Sequence, residues 1–491
     1  MKNFALVRAA LVVGTLQLGL AVSVEVRAGT RGLTESVVIN GQHVERGWLR
    51  VPERRDGRTT NAIEIPFVRF PATVSSSAPP IIYVAGGPGE SGVSTLSGAA
   101  FGLVMALREV ADVIAFDQRG AGQSKPSLAC NESWGFPLNE PGDPQKLARI
   151  AAEKVRECLT ELERRGIDPA AYNVVESADD VEALRPALGT ERITLWGISY
   201  GTHLALQVIR RHGGHVANAI LTGVNGPDHA LLKRPSAIDG QLRKLGEILH
   251  AEANANANVT NVVGVLQTAG ERLAEKPVTV QVMDEKTGQP IAVTVGKWDL
   301  QFLTASRLTQ TWGLKSSPAF LGALARGDYK PLAQAAFNFR TASVGSTMPV
   351  LMLFSSGVSP ARITVVEYEA RKSLLGNAIN FPYSDLMKEF SRFDAGESVR
   401  SEIRSDVPVL FVSGTLDGRT PPEQAEEIRR GFSRNEHLVV EGASHGYDLF
   451  FFATPVKQAM LQFLREGNIR TNRVSLGRFS LDSLDRPRGA R

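Results

Sequence analysis

The stretch Ile193-Thr194-Leu195-Trp196-Gly197-Ile198-Ser199-Tyr200-Gly201-Thr202-His203-Leu204-Ala205-Leu206 decides the fold. Ile193 to Trp196 have the apolar, β-branched and aromatic character of a buried strand, and Leu204, Ala205 and Val208 follow Tyr200 at helical spacing. Between the two lies Gly197-Ile198-Ser199-Tyr200-Gly201, the spacing of a nucleophile elbow, in which a serine on a tight strand-to-helix turn lifts its hydroxyl above a sheet. A Cβ at either glycine would crowd the strand and helix that such a turn brings together. In a chain with 46 glycines the pattern also arises by chance, so its weight depends on partners elsewhere.

Upstream, Gln42 to Val51 and Ala62 to Phe70 alternate as antiparallel strands around the turn-rich Pro52 to Arg58. Ile81 to Val84 is a short apolar run suited to burial on both faces of a parallel sheet. It leads into Ala85-Gly86-Gly87-Pro88-Gly89-Glu90-Ser91-Gly92, whose backbone amides can turn inward as an oxyanion hole requires. A phosphate-binding turn is the weaker alternative, because no Gly-Lys-Ser/Thr follows. The strand Asp112 to Phe116 precedes Asp117-Gln118-Arg119-Gly120, where Asp117 and Arg119 are expected to tie neighbouring loops together. Helices are predicted over Gln145 to Arg165 and from a Ser177 cap to Arg185, so strands and helices alternate as in a helix-covered parallel sheet.

Residues 226–402 lose that alternation and read as a largely helical insertion. They include an Ala/Asn-rich stretch, Ala251 to Val259, and a hairpin over Pro277 to Val282 and Ile291 to Val295. The core pattern returns with Val407 to Ser413, followed by Asp417 in a loop, and with His437 to Val440, followed by His445. An acid just beyond a buried strand is where a carboxylate can orient a histidine. The chain order Ser199, Asp417, His445 is that of a serine, acid, histidine triad on this kind of sheet. His43, His203, His212, His215, His229, His250 and His437 carry no comparable motif or metal-ligand spacing, and neither metal nor organic cofactor is expected.

These segments resemble the α/β-hydrolase family of tripeptidyl aminopeptidases and proline iminopeptidases. Gly86 to Gly89 is similar to that family's HGGPG, with Ala85 in place of the histidine; Asp117 to Gly120 and Gly197 to Thr202 match as well, and Thr222 stands where an aspartate is usual. Asp417 to Pro421 is similar to D-P-x-T-P, with Gly418 for proline, and Gly442 to Gly446 to G-x-x-H-G. The resemblance implies an α/β-hydrolase fold, a mostly parallel central sheet covered by helices with an inserted helical cap. It also implies Ser199, Asp417 and His445 as the catalytic triad, with Gly86, Gly87 and the Tyr200 amide as the oxyanion hole. It further implies recognition of a substrate's free amino group by cap carboxylates. Glu367 and Glu369 are the candidates, the former standing where relatives carry a cysteine. The expected substrate is a peptide with a free amino terminus. A carboxylesterase acting on small esters with the same triad is the alternative, and a non-catalytic ligand-binding protein a third reading.

Composition sets the outer bounds. With 491 residues, 43% hydrophobic and 22% charged, the chain suits a globular protein larger than one ordinary domain. A net charge of +4 without a basic recognition helix does not suggest a nucleic-acid partner. Lys2 and Arg8 ahead of apolar Ala9 to Val22, with small residues at Ser23 and Ala28, read as an export signal too short to span a bilayer. A periplasmic or secreted protein without lasting membrane insertion is expected. In that compartment Cys130 and Cys158 are expected to pair, two free thiols being the alternative. The resulting division is a signal over 1–28, core over 29–225 and 403–467, cap over 226–402, and an arginine-rich tail over 468–491, disordered or lying on the core. Oligomeric state is not encoded in any motif.

Overall fold

The computed structural model describes residues 34–251 and 261–477. The export segment, residues 252–260 of the Ala/Asn-rich stretch and the tail beyond 477 lie outside them. Ten strands form the central sheet: β1 (Thr34–Ile39), β2 (Gln42–Pro52), β3 (Ala62–Phe70), β4 (Ile81–Val84), β5 (Val113–Phe116), β6 (Ile193–Ile198), β7 (Val216–Thr222), β8 (Val409–Leu416), β9 (Asn435–Ser444) and β10 (Arg473–Ser475). Their spatial order is β1-β2-β3-β5-β4-β6-β7-β8-β9-β10. The first three strands and the β3/β5 seam are antiparallel, and every pairing from β5 through β4 to β10 is parallel. β1 and β10 extend the expected sheet at its two ends; β10 comes from the start of the predicted tail, whose described part therefore joins the core.

Side-chain alternation sorts each central strand onto two covered faces. Ile82, Val84 and Leu195 pack into one buried cluster with the helices Pro144–Arg164, Val174–Ala187 and Tyr200–His212. Ile81, Tyr83, Trp196 and Ile198 pack into the opposite one with Phe101–Leu107 and Thr454–Glu466. With both faces covered, β4, β5 and β6 bury every residue, and this is why they read as apolar runs rather than as alternation.

The helix expected to start at Ser177 begins earlier, at Val174. Asn173, in an extended conformation, accepts the Glu176 amide at 2.9 Å and caps it, so Ser177 is buried in the second turn instead. The shift frees Asp180 for the core. Its carboxylate meets Arg119 at 2.6 Å, both side chains fully buried, while the same guanidinium donates to the carbonyls of Glu53 and Ala171. Asp117 accepts from the Ser91 hydroxyl at 2.7 Å and from the amides of Val93 and Gln123, and Gln118 donates to the Ala85 carbonyl at 2.9 Å. The Asp117–Arg119 loop thus ties the glycine-rich loop after β4 to its neighbours.

The segment between β7 and β8 packs as two parts rather than as one cap over 226–402. Residues between Ile238 and Phe337, including the hairpin Val278–Asp284 with Gln289–Val295, share a separate core centred on Leu242, Leu266, Leu300 and Leu332. The helix Met348–Ser356, Val366 and the residues from Phe381 to Ile403 join the cluster that holds the sheet's own helices, while Leu375 between them stays with the separate core. The physical reason is the helix Met348–Ser356, apolar around its whole circumference and thus suited only to burial between layers. A disulfide joins Cys130 to Cys158, Cα atoms 5.8 Å apart, fastening the strand Ala129–Ser133 to the helix Pro144–Arg164. Among the described residues no single helix is long and apolar enough to cross a membrane.

Removing Asp180 leaves the fully buried Arg119 with only the more distant Glu176 carboxylate, 3.6 Å away, in a low dielectric. Asp180→Ala is therefore expected to lower unfolding stability by about 3–5 kcal/mol, read as a shift of the urea midpoint, whereas exposed Glu35→Ala should leave the midpoint within error.

Candidate active site

Ser199 is held at φ 49° and ψ −123°, one of two non-glycine residues with positive φ among those described. Two close approaches impose this. A Cβ at Gly201 would lie 2.0 Å from the Val84 carbonyl oxygen, and one at Gly197 would lie 2.8 Å from the Gly201 oxygen. The turn closes only because both positions lack side chains. The Ser199 amide donates to the Thr222 carbonyl at 2.9 Å, fixing the elbow to the end of β7.

The loops after β8 and β9 bring the partners in. Ser199 Oγ is 3.0 Å from His445 Nε2, and His445 Nδ1 is 2.8 Å from Asp417 Oδ2, all three residues being buried. With its Nδ1 proton donated to the carboxylate, the imidazole presents Nε2 as an acceptor to the serine hydroxyl. Burial opposes ionisation of Asp417. The His445 ring, the Thr420 hydroxyl and the Thr420 amide outweigh it and leave the carboxyl below its ordinary pKa. Thr420 has no role in the sequence reading beyond its place in the loop motif. Its hydroxyl donates to Asp417 Oδ2 at 2.6 Å and also lies 3.0 Å from His445 Nδ1, while its amide and that of Arg419 donate to Oδ1. The threonine locks the acid's rotamer, and only the folded turn reveals it.

The glycine-rich loop passes directly beside Ser199. A Cβ at Gly86 would meet Ser199 Cβ at 3.3 Å, and Gly87, at φ 103°, lines both cavities that open on Ser199. Gly86, Gly87 and Tyr200 are thus gathered around one point. The Tyr200 side chain points away, its hydroxyl bonded to Ser356 Oγ and the Met352 carbonyl. The cap glutamates are not gathered there. Glu367 is exposed, and Glu369 is bound by Arg234 and the Ser236 amide, so the structure brings neither to a cavity on Ser199. Helix Pro360–Ala370 turns them toward the outer surface and toward the helix that begins at Pro235.

The larger cavity, about 990 Å³, is an open cleft with Glu90, Arg419 and Lys315 on its walls and exposed Trp312, Tyr447 and Phe452 at its rim. Glu90 is reached by water from the mouth yet hemmed in by the walls. That confinement raises its pKa, against the opposing charges of His445 and Arg419. A smaller cavity, about 50 Å³, also opens on Ser199 and shares Gly87 and Arg419 with the cleft. Among the described residues no three His, Cys, Asp or Glu side chains are disposed to hold a metal ion.

The model of the alpha/beta hydrolase fold family matches residues 79–447. The chain belongs to this family. Among curated relatives it is 29% identical over 196 residues to the serine protease Hip1 of Mycobacterium tuberculosis, covering 37% of this chain and 36% of that protein. It is 29% identical over 161 residues to the tripeptidyl aminopeptidase of Streptomyces lividans, 30% of this chain and 28% of the relative. The matched segments therefore span about a third of the relatives' length. A solved proline iminopeptidase-related protein of Thermus thermophilus superposes with a TM-score of 0.37 at 19% identity, over 86% of this chain and 97% of the other.

Two outcomes follow from the elbow. Gly201→Ala forces a methyl into the Val84 carbonyl and is expected to cost about 3 kcal/mol and to displace Ser199, measured as a lower melting temperature together with loss of labelling by a serine-directed phosphonate. The second concerns His203 on the same helix, fully buried with Nδ1 3.1 Å from the Gly226 carbonyl, where burial lowers its pKa to about 4. A depressed imidazole stays neutral when folded and takes up a proton when unfolded. Its stabilising contribution is therefore present above the unfolded pKa and lost as pH falls from about 6.5 to 4, on the order of 3 kcal/mol. Urea titrations at pH 7 and pH 4.5 should show a smaller acid loss in His203→Gln than in the native chain.

Proposed function

We propose that the protein is an exported serine hydrolase, an aminopeptidase that releases residues or short peptides from a free amino terminus. The observation that carries the proposal is the chain of hydrogen bonds from Ser199 through His445 to Asp417 at the mouth of a cleft. Relatives named serine protease and tripeptidyl aminopeptidase support amide over ester substrates. Ser199 attacks the acyl carbonyl as His445 takes its proton, and Asp417 stabilises the imidazolium so formed. The oxyanion receives the Tyr200 amide and an amide of Gly86 or Gly87, each such donor typically worth about 3 kcal/mol of barrier. His445 returns the proton to the leaving amine, and water resolves the acyl-enzyme by the same steps in reverse. Glu90 takes the role first expected of Glu367 and Glu369. It is an acid on the cleft wall with no side-chain partner among the described residues, whereas Asp448, also on that wall, is already bonded by Thr311 and Ser444. Glu90 receives the substrate's ammonium.

The test is a panel with one leaving group: alanyl, prolyl and tripeptidyl p-nitroanilides, their N-acetylated twins, and short acyl p-nitrophenyl esters. Free-amino anilides should be cleaved in preference to acetylated ones. Ser199→Ala should lower kcat by about 10³-fold or more, and Glu90→Gln should raise KM for the free-amino substrates about tenfold. Ester turnover indifferent to the amine would make the protein a carboxylesterase, and undiminished activity in Ser199→Ala would overturn the mechanism.

A further inference from the structure

The 50 Å³ cavity that opens on Ser199 and Tyr200 is also lined by Asn225, Lys233, Tyr383 and Arg419, together with apolar side chains such as Leu231 and Leu353, and no carboxylate lines it. Lys233 is buried, and its ammonium donates to Asn225 Oδ1 and to the His229 carbonyl, leaving one of three N–H groups without an acceptor. Because the lysine can only donate in its charged form, Asn225 Oδ1 is committed as acceptor, and Asn225 Nδ2 is left as an unused donor. Neither the Tyr383 hydroxyl nor the Arg419 guanidinium has a side-chain hydrogen bond or ion pair among the described residues. Arg419 lies within electrostatic reach of Lys233 and Tyr383. Four groups with hydrogens to give thus converge on one small space that offers almost nothing to accept them.

We infer that this cavity is a subsite for a carboxylate on the acyl part of the substrate, the side chain of an aspartyl or glutamyl residue whose carbonyl Ser199 attacks. The inference rests on the reading of Ser199 as nucleophile. A residue's side chain leaves the carbon next to the attacked carbonyl, so it must enter a space touching both Ser199 and the oxyanion amides, as this one does. At roughly 10–15 Å³ for each water-sized group, the cavity holds three to five heavy atoms, a carboxymethyl or carboxyethyl group. A carboxylate brings two oxygens with four acceptor sites to four idle donors, and its charge offsets that of Arg419, which no ion pair among the described residues neutralises. Burial, with Arg419 and Arg362 adding to it, pushes the Lys233 pKa well below its ordinary value. An anion in the cavity works in the opposite sense. The wide cleft takes the substrate's ammonium at Glu90 and the leaving group.

The isosteric pairs aspartyl and asparaginyl p-nitroanilide, and glutamyl and glutaminyl p-nitroanilide, differ only in the charge and acceptor count of the group that enters. The acidic member is expected to have a kcat/KM at least tenfold higher. That ratio should fall toward one in Arg419→Gln, recover in part in Arg419→Lys, and fall again in the independent variant Lys233→Met. A ratio at or below one in the native chain, or a ratio untouched by Arg419→Gln in folded protein, overturns the inference. Failure of the peptidase reading is separable from this. Calorimetric binding of aspartic and asparaginyl amides to Ser199→Ala needs no turnover, and tighter binding of the acidic amide, lost in Ser199→Ala/Arg419→Gln, supports the subsite even if no anilide is cleaved. Equal binding of the two amides rejects it.

Discussion

The approach of Gly201 to the Val84 carbonyl is the constraint on which the site depends. It draws the start of a helix against the end of a neighbouring strand, and the chain can then pass between them only through the Ser199 conformation at φ 49°. Such a backbone persists where surrounding structure over-determines it. Here β4, β6 and β7 lie side by side, buried on both faces, and the Ser199 amide is held by Thr222. The strain is local, and the sheet that holds it is large.

Around that point the fold places chemistry at strand ends. Ser199, Asp417 and His445 follow β6, β8 and β9, and the glycine-rich loop follows β4, so four loops from one edge of a parallel sheet converge on a single hydroxyl. This is the edge where ligands bind in open α/β sheets. The Asp117 carboxylate and Arg119 guanidinium hold neighbouring loops in place, and Thr420 does the same for Asp417. Charge is divided unequally between the two spaces that open on Ser199. The broad cleft carries both signs and an aromatic rim, whereas the charged side chains lining the small cavity are Lys233 and Arg419, with no carboxylate.

Much of this could be read in advance because it rests on local rules. The elbow, the buried strands, the hairpin and the serine, acid, histidine order each depend on residues close in the chain or on patterns that a fold repeats. Glu367 and Glu369 could not be judged that way. Their spacing on a helix is equally that of a solvated face, and it is the packing of Pro360–Ala370 that gives Glu369 to Arg234. The helix start moved from Ser177 to Val174 because Asn173 offered an earlier cap, a competition between two good capping residues that sequence alone leaves open. The insertion divided in two because the helix Met348–Ser356 in its second part is too uniformly apolar to face water, and the sheet's helices were available to cover it.

The sequence by itself determined the elbow, the order of the three residues around it and the class of sheet that carries them, since glycine sterics and hydrophobic periodicity act over a few residues. Tertiary structure alone decided which other groups reach Ser199. Glu90, Thr420, Lys233, Asn225, Tyr383 and Arg419 lie scattered between residues 90 and 420, and what each can do follows from which partners it keeps after folding. A hydrogen bond made or left unmade in a buried site depends on distances of a few tenths of an ångström, which only the packed chain sets.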